Sequence, residues 1–495
     1  MTTEQQLPEG WETQPLQNLL NYVIGGDWGK DENYNDENFI LVNCIRGAEF
    51  RNWKNDKAST AALRKIKISS LQNRQIQEDD ILIEISGGGP EQPVGRTVLI
   101  TKQVLSNFNN PVVCTNFLRL IRPNEKINST FLNYYLSYFY LSGKIISYQA
   151  GSNNLRNLKF KEYERIEIPV PPIETQQAIV NKIESLFDEI DEGIGRLKTA
   201  AQQIQQYRQS LLKNAFNGEL TKEWRSKHAD ALPSENELLA QIQTAREEHH
   251  AQQLADWQTA VSQWEQNGKE GKKPSKPKAP TQAVKFEENF ADLPRGWGVI
   301  RFENICDLIR NGISVKPEGE SGIKILRISA VRPFQLNLDD YRFLNTDDVG
   351  DFVLNNGDLL FTRYNGTRNF VGVCAEFKSD EKYVYPDKLI RAVVNSTKIN
   401  STFLMYGFNT GISRKFIESR IRTTAGQSGI SGTDIKAIPV VICSPAEQTQ
   451  IVAILESKLT ACDQLAAELS KQLKQAELLK QAVLKAAFSG SLLDK

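Results

Sequence analysis

Three histidines, six cysteines and a scatter of acidic pairs are the raw material for catalysis in this sequence of 495 residues. They do not assemble into a recognisable site. His228, His249 and His250 all fall in one polar, highly charged segment, so a histidine base or zinc ligand inside a folded core is hard to build. Cys44, Cys114, Cys306, Cys374, Cys443 and Cys462 are scattered without a Cys-x-x-Cys pair and read as reduced, buried small hydrophobes. Gly25-Gly26-Asp27-Trp28-Gly29-Lys30-Asp31 comes nearest to a phosphate loop. It is one residue short of the Walker spacing and places Asp31 where Ser or Thr should hold magnesium. Val170-Pro171-Pro172-Ile173 lacks both the amide and the aromatic platform that amino methylation of a base requires. The pairs Asp79-Asp80 and Asp339-Asp340 have no lysine at nuclease-like spacing and read as solvated turn carboxylates. The expectation is a chain that binds rather than catalyses, with no metal and no cofactor of its own.

The residues that could bind are polar loops occurring in matched pairs. Ser86, Gly87, Gly88 and Gly89 follow an apolar run at 81–85, with Arg96 soon after. Further on, Arg363, Tyr364, Asn365, Thr367 and Arg368 follow a similar run at 358–362. Glycine permits close backbone approach to a ligand, while Arg and Asn can make paired hydrogen bonds to guanine or adenine edges. A second pair, 150–154 and 424–428, offers Ser152, Asn153 and Asn154 in one case and Gln427 and Ser428 in the other. Ordinary hairpin turns are the alternative reading of all four. The formal net charge is zero, yet residues 38–167 hold 18 Lys and Arg against 11 Asp and Glu, net +7, and residues 293–437 hold 20 against 16, net +4. Such local excess suits phosphate contact.

An internal repeat dictates what must position these loops. Lys126-Ile127-Asn128-Ser129-Thr130-Phe131-Leu132 returns unchanged at 398–404, and Ala215-Phe216-Asn217-Gly218 returns as Ala487-Phe488-Ser489-Gly490. Leu7-Pro8-Glu9-Gly10-Trp11 returns as Leu293-Pro294-Arg295-Gly296-Trp297. Three matches in one order make two copies of one unit. Each copy opens with short, turn-punctuated apolar runs and a helix expected to be capped by Ser129-Thr130 or Ser401-Thr402, a mixed α/β globule. A proline break and a long helix ending at Ala-Phe-x-Gly follow. The boundaries read as 1–167 for the first globule, 168–220 for a central long helix, 221–292 for a charged linker with a helix near Glu235–Trp264, 293–437 for the second globule and 438–495 for a terminal long helix.

Both long helices carry heptads. Ile183, Ile190, Leu197, Ile204 and Leu211 recur every seven residues, and the same slots in the second copy hold Leu455, Cys462, Leu469, Ala476 and Val483, with Leu473 among the residues three positions earlier in each heptad. The pattern breaks once in each helix, at Arg208 and at Lys480. Two matched seams predict an antiparallel coiled coil between two α/β domains related as in a twofold dimer fused into one chain. The linker reads as solvated, with a DNA or partner contact through Lys269, Lys272, Lys273, Lys276 and Lys278 as the alternative.

Length argues for about three folding units, and 40% hydrophobic with 24% charged residues describes a soluble globular protein. No apolar run reaches the roughly 20 residues of a membrane span, and Met1–Gly10 lacks the pattern of a secretion signal, so a cytoplasmic protein without membrane contact is expected.

The tandem arrangement, together with Ile168-Pro169-Val170-Pro171-Pro172-Ile173-Glu174-Thr175-Gln176-Gln177-Ala178-Ile179-Val180, its counterpart Ser444-Pro445-Ala446-Glu447-Gln448-Thr449-Gln450-Ile451-Val452, and the central 215–225, resembles the specificity subunit of type I restriction-modification systems. The resemblance implies two target-recognition domains, each reading one half of a split sequence on double-stranded DNA. It implies helices that set the gap and dock two methyltransferase subunits carrying S-adenosylmethionine, and restriction subunits, two where present, that use ATP and magnesium. The chain itself would be non-catalytic. A stand-alone duplicated DNA-binding regulator and a coiled-coil scaffold without DNA are the alternatives.

Overall fold

The computed structural model describes residues 7–89, 92–151, 155–280, 282, 286, 293–345, 349–394, 398–424 and 426–493. The chain divides into two compact units, one formed by 1–200 with 468–495 and the other by 201–467, so each long helix contributes to both.

In the first unit a four-stranded antiparallel sheet runs in the order Leu20–Gly25, Leu118–Pro123, Ile81–Glu84, Thr97–Leu99. A second sheet places Phe39–Ile45 between Ala62–Lys67, antiparallel, and Val112–Cys114, parallel. Glu12–Pro15 pairs with Glu167–Val170, closing the globule where the chain leaves it. Ser129–Leu141 is the packing helix, and Phe131, Leu132, Tyr135, Leu136 and Phe139 face the core at helical spacing. Its cap is Asn128, one residue before the expected serine, whose side chain accepts the Phe131 amide. Asn400 does the same for Phe403 at the head of Ser401–Phe408. The amide side chain reaches the orphan N–H better from the extended residue outside the helix than a hydroxyl inside its first turn.

The second unit repeats the plan. Its four-stranded sheet runs Cys306–Asn311, Leu389–Val394, Leu359–Thr362, Cys374–Glu376. Its three-stranded sheet places Ile323–Leu326 between Tyr341–Leu344 and Tyr383–Val384, with the same mixture of one antiparallel and one parallel neighbour. Gly298–Arg301 pairs with Pro439–Ile442 as the closing ribbon.

The long helices are Ile173–Phe216 and Pro445–Phe488. Along both, the expected seam positions are buried or half-buried while most of their neighbours are exposed. In the first unit Ile179, Val180 and Ile183 share a core with Val483, Leu484 and Ala487. In the second, Leu211, Leu212 and Ala215 share one with Ile451, Val452, Leu455 and Leu459. The start of one helix thus meets the end of the other, an antiparallel pairing.

The repeated motifs hold the copies to each other's helices. Phe488, ending the second copy, packs edge-on against Phe131 and Tyr135 of the first globule, and Phe216 packs against Phe403 of the second. Both following glycines take left-handed backbone, φ +83°, and lie so close to the opening prolines that an added Cβ would sit 2.1 Å from Pro294 Cγ at Gly218 and 2.0 Å from Pro8 Cγ at Gly490. Gln176 is fully buried, accepts the Asn128 amide at 2.7 Å and donates to the carbonyls of Pro171 and Lys126. Gln448 makes the same three bonds to Asn400, Cys443 and Lys398.

Within 221–292 the helix expected near Glu235–Trp264 is present, and its first half packs on the second unit rather than standing in solvent. Ser234 caps a helix at Glu235–Gln266 with a reciprocal bond to Glu237. Leu238 and Ile242, one turn apart, join the core of the second unit. Helical spacing of a few apolar residues overrides the polar average. Among the described residues no helix is long and apolar enough to cross a membrane.

Candidate nucleic-acid interface

The four polar loops form two small sheets. In the first unit Ser86–Gly88 leaves the end of Ile81–Glu84 and pairs with Arg156–Leu158, itself paired with Gln149–Ala150. The Ser86 hydroxyl donates to Asn157 at 2.6 Å. Ser152, Asn153 and Asn154 lie outside the described residues, on the connection between those two strands. In the second unit Tyr364–Asn365 leaves the end of Leu359–Thr362 and pairs with Gln427–Gly429, which pairs with Arg422–Thr424. Loops far apart in sequence therefore meet, at the same place in each copy.

Beside the first small sheet lies a groove of about 720 Å³, whose lining includes Arg46, Arg51, Arg96, Gly87, Gln92 and Asn116 together with the aromatic residues Trp28 and Phe117. Gly87 has φ +112°, a conformation closed to residues with a Cβ, and leaves the adjacent surface open. Glu84 is buried and receives two bonds from Arg96, at 2.7 and 2.9 Å, with Arg96 also donating to the Gly47 carbonyl. Glu49 is buried and held the same way by Arg46, at 2.5 and 3.0 Å. Burial would raise the cost of either carboxylate alone, so these arginines act first as its partners. Pairing with Glu84 raises the Arg96 pKa, and Arg96 is thus a wall of the groove rather than a free reader. Arg51, Gln92 and Asn116 are exposed, and Thr115 donates to Asn116 Oδ1 at 3.0 Å, which orients that amide. Phe117 is 51% exposed.

The second small sheet differs in content. Arg363 lies 4.8 Å over the Tyr364 ring and donates to the Asp387 carbonyl at 3.3 Å, while its Nε is buried without a partner. Asn365 accepts the Thr367 amide at 2.9 Å, a turn that leaves Thr367 exposed. Arg368 is committed to structure, donating to the carbonyls of Glu418 and Ile421 at the end of the helix Gly411–Arg420. Ser428 faces inward, 4% exposed and 2.8 Å from the Thr423 hydroxyl, and Gly88 of the first sheet is also buried. Exposed candidates are therefore Gly87, Thr367, Gln427 and the already engaged Arg368, with Ser86, Gly89, Arg363, Tyr364 and Asn365 half-buried.

Sequence reasoning missed Trp28, Arg46, Arg51, Gln92, Asn116 and Phe117. Trp28 belongs to the glycine-rich stretch rejected as a phosphate loop. Its glycines serve close backbone packing instead, since a Cβ on Gly26 would lie 2.1 Å from the Cys114 carbonyl oxygen. Asn116-Phe117 fills the short connection between Val112–Cys114 and Leu118–Pro123, and an aromatic residue in so short a turn was the available signal. Planar donors beside aromatic faces, over neutralised carboxylates, form a surface suited to bases and phosphates.

Known proteins are similar to this chain over nearly its whole length. Residues 8–198 match the family described as the type I restriction modification DNA specificity domain. The chain is 28% identical to the type I restriction enzyme EcoKI specificity subunit of Escherichia coli K12, over 98% of this chain and 90% of that one. It is 25% identical to the StySPI specificity subunit of Salmonella potsdam over the same shares. Its fold is similar to the HsdS subunit from Thermoanaerobacter tengcongensis, TM-score 0.54 at 15% identity over 99% of this chain and 100% of that one. It is also similar to a chain from a structure of the type I R-M system, TM-score 0.63 at 15% identity over 98% and 100%. Duplicated globules, paired long helices and repeated motifs accompany this similarity to specificity subunits of type I restriction enzymes, and residues 8–198 are the part that matches the specificity-domain family.

Proposed function

We propose that this chain is the DNA-recognition subunit of a type I restriction-modification complex, each unit reading one half of a bipartite target on double-stranded DNA. The observation that carries this reading is a three-stranded loop sheet entered from the end of the corresponding inner strand of the four-stranded sheet in both copies, built from different residues. A common scaffold with different reading residues predicts two different half-sites. In the first unit Arg51, Gln92 and Asn116 supply donors and acceptors toward the DNA, and Phe117 supplies a stacking or wedging face. In the second, Tyr364, Asn365, Thr367 and Gln427 occupy the corresponding edge.

The paired helices set the gap between half-sites and dock two methyltransferase subunits, which carry S-adenosylmethionine. Restriction subunits using ATP and magnesium complete the assembly where they are present. The chain contributes recognition and no catalysis. Mapping methylated bases genome-wide, with and without this gene, tests the reading. A split motif that disappears with the gene is expected, whereas unchanged methylation would overturn it.

A further inference from the structure

The helix Glu235–Gln266 carries a second surface that the recognition loops do not explain. Beyond His250 its half-buried residues form one stripe, Gln253, Leu254, Trp257, Ala260, Val261 and Trp264. The following segment turns at Gly268 and Gly271, both with left-handed backbone, and lies back along that stripe. Trp257 donates its indole N–H to the Pro274 carbonyl at 3.0 Å, and Trp264 donates to the Gly271 carbonyl at 3.3 Å. Pro274, Pro277 and Pro280 are half-buried while every residue between them is exposed. Burial at every third residue is the period of a polyproline-type strand, so the prolines face the helix and Lys272, Lys273, Lys276 and Lys278 face outward. The ammonium groups of Lys273 and Lys276 lie 5.8 Å from the ring centres of Trp264 and Trp257, contacts that orient them at the exposed face of the strand. None of these four lysines is ion-paired with a described carboxylate.

We propose that this docked strand is a contact for the phosphate backbone of duplex DNA, independent of the base-reading loops. It rests on the DNA-recognition reading of the chain. Four ammonium groups on a pre-ordered strand of about 25 Å, at 3.1 Å per residue, match the outline of a phosphate row and bind it with little further loss of chain entropy. Besides lysine, the exposed residues of 268–280 are Gly268, Glu270, Gly271, Ser275 and Ala279, with no aromatic or large apolar residue to anchor a protein partner.

The test is the salt dependence of binding of the full chain to a duplex without a target site. Changing Lys272, Lys273, Lys276 and Lys278 to alanine together is expected to lower the slope of log affinity against log salt by about 0.9 per lysine, roughly 3.6 in all. The four lysine-to-arginine changes should restore the slope. Trp257→Ala with Trp264→Ala, which frees the strand but keeps its charge, should weaken binding with the slope retained. An unchanged slope in the alanine variant overturns the proposal. So does an unchanged slope accompanied by loss of assembly with a methyltransferase, which would make the strand a protein contact. Failure of the unaltered chain to bind any duplex would remove the recognition reading itself.

Discussion

Arg208 of the first long helix donates to Asp463 of the second, within the second unit. The residues 272 positions removed repeat the contact in the first unit, where Lys480 donates to Asp191 at 2.5 Å. From one pair to the other the first helix advances 17 residues as the second retreats 17. The single polar position in each heptad seam is thus the one that reaches an acid on the partner helix. A slipped or parallel pairing would leave that cation against apolar neighbours, so the pair specifies register and direction at some cost in stability.

Replacing Arg208 and Lys480 together by leucine is expected to raise the thermal midpoint, since it completes both seams. A gain on the order of 1 kcal/mol per position corresponds to roughly 2–4 °C per position for a unit of this size. Scanning calorimetry checks it. A lower midpoint would show that the ion pairs are net stabilising.

Asp191 also accepts from Lys54. Burial raises its pKa, but the hydrogen bonds from Lys480 and Lys54 outweigh that and hold it below the ordinary carboxylate value. A depressed native pKa adds stability above the unfolded value, about 3.9, that is lost as pH falls through the native one. Stability of Asp191→Asn should therefore fall less steeply than that of the unaltered chain at the acid end, in denaturant titrations between pH 5 and 2.5.

Gly218→Ala meets both a left-handed φ and the Pro294 ring, and should cost about 2–4 kcal/mol. Pro294→Ala in the same chain should recover part of that loss, a coupling a double-mutant cycle measures. Independent losses would mean that the close contact relaxes elsewhere.

Glu447 is buried and receives hydrogen bonds from Thr221 at 2.7 Å, Arg225 at 2.9 Å and the Trp297 indole at 2.9 Å. Glu447→Ala strands the Arg225 cation and should destabilise the second unit by about 3–5 kcal/mol. Limited proteolysis should find new cleavage in 201–467 before any in the first unit.

Within the groove, Arg51→Ala or Asn116→Ala should relax recognition at one half-site by about 1–3 kcal/mol and leave folding intact. Arg96→Ala should instead lower stability, because Glu84 would remain buried and unpaired. Binding selections on randomised half-sites, run beside thermal melts, separate the two effects. Equal loss on all sequences would make Arg51 and Asn116 phosphate contacts.

The sequence by itself determined the duplication, the two α/β globules, the long helices and their seams. Each rests on a local or periodic signal, a repeated heptapeptide or an apolar residue every seven, that needs no knowledge of distant contacts. It also placed the loops at 86–89 and 363–368 beyond strand ends. What only the tertiary structure decided was which of their side chains are free. Arg96 and Arg368 look alike as loop arginines, but one neutralises a buried glutamate and the other closes a helix end, and neither partner is near in sequence. The groove joins Trp28, Arg51 and Asn116 because strands 39–45 and 112–114 run side by side, a pairing of long sequence separation that no local pattern encodes. Within the insertion at 221–292 the helix was legible in the sequence but its packing was not, for the same reason. Its average is polar, and only the core of the second unit reveals that Leu238 and Ile242 have somewhere to go.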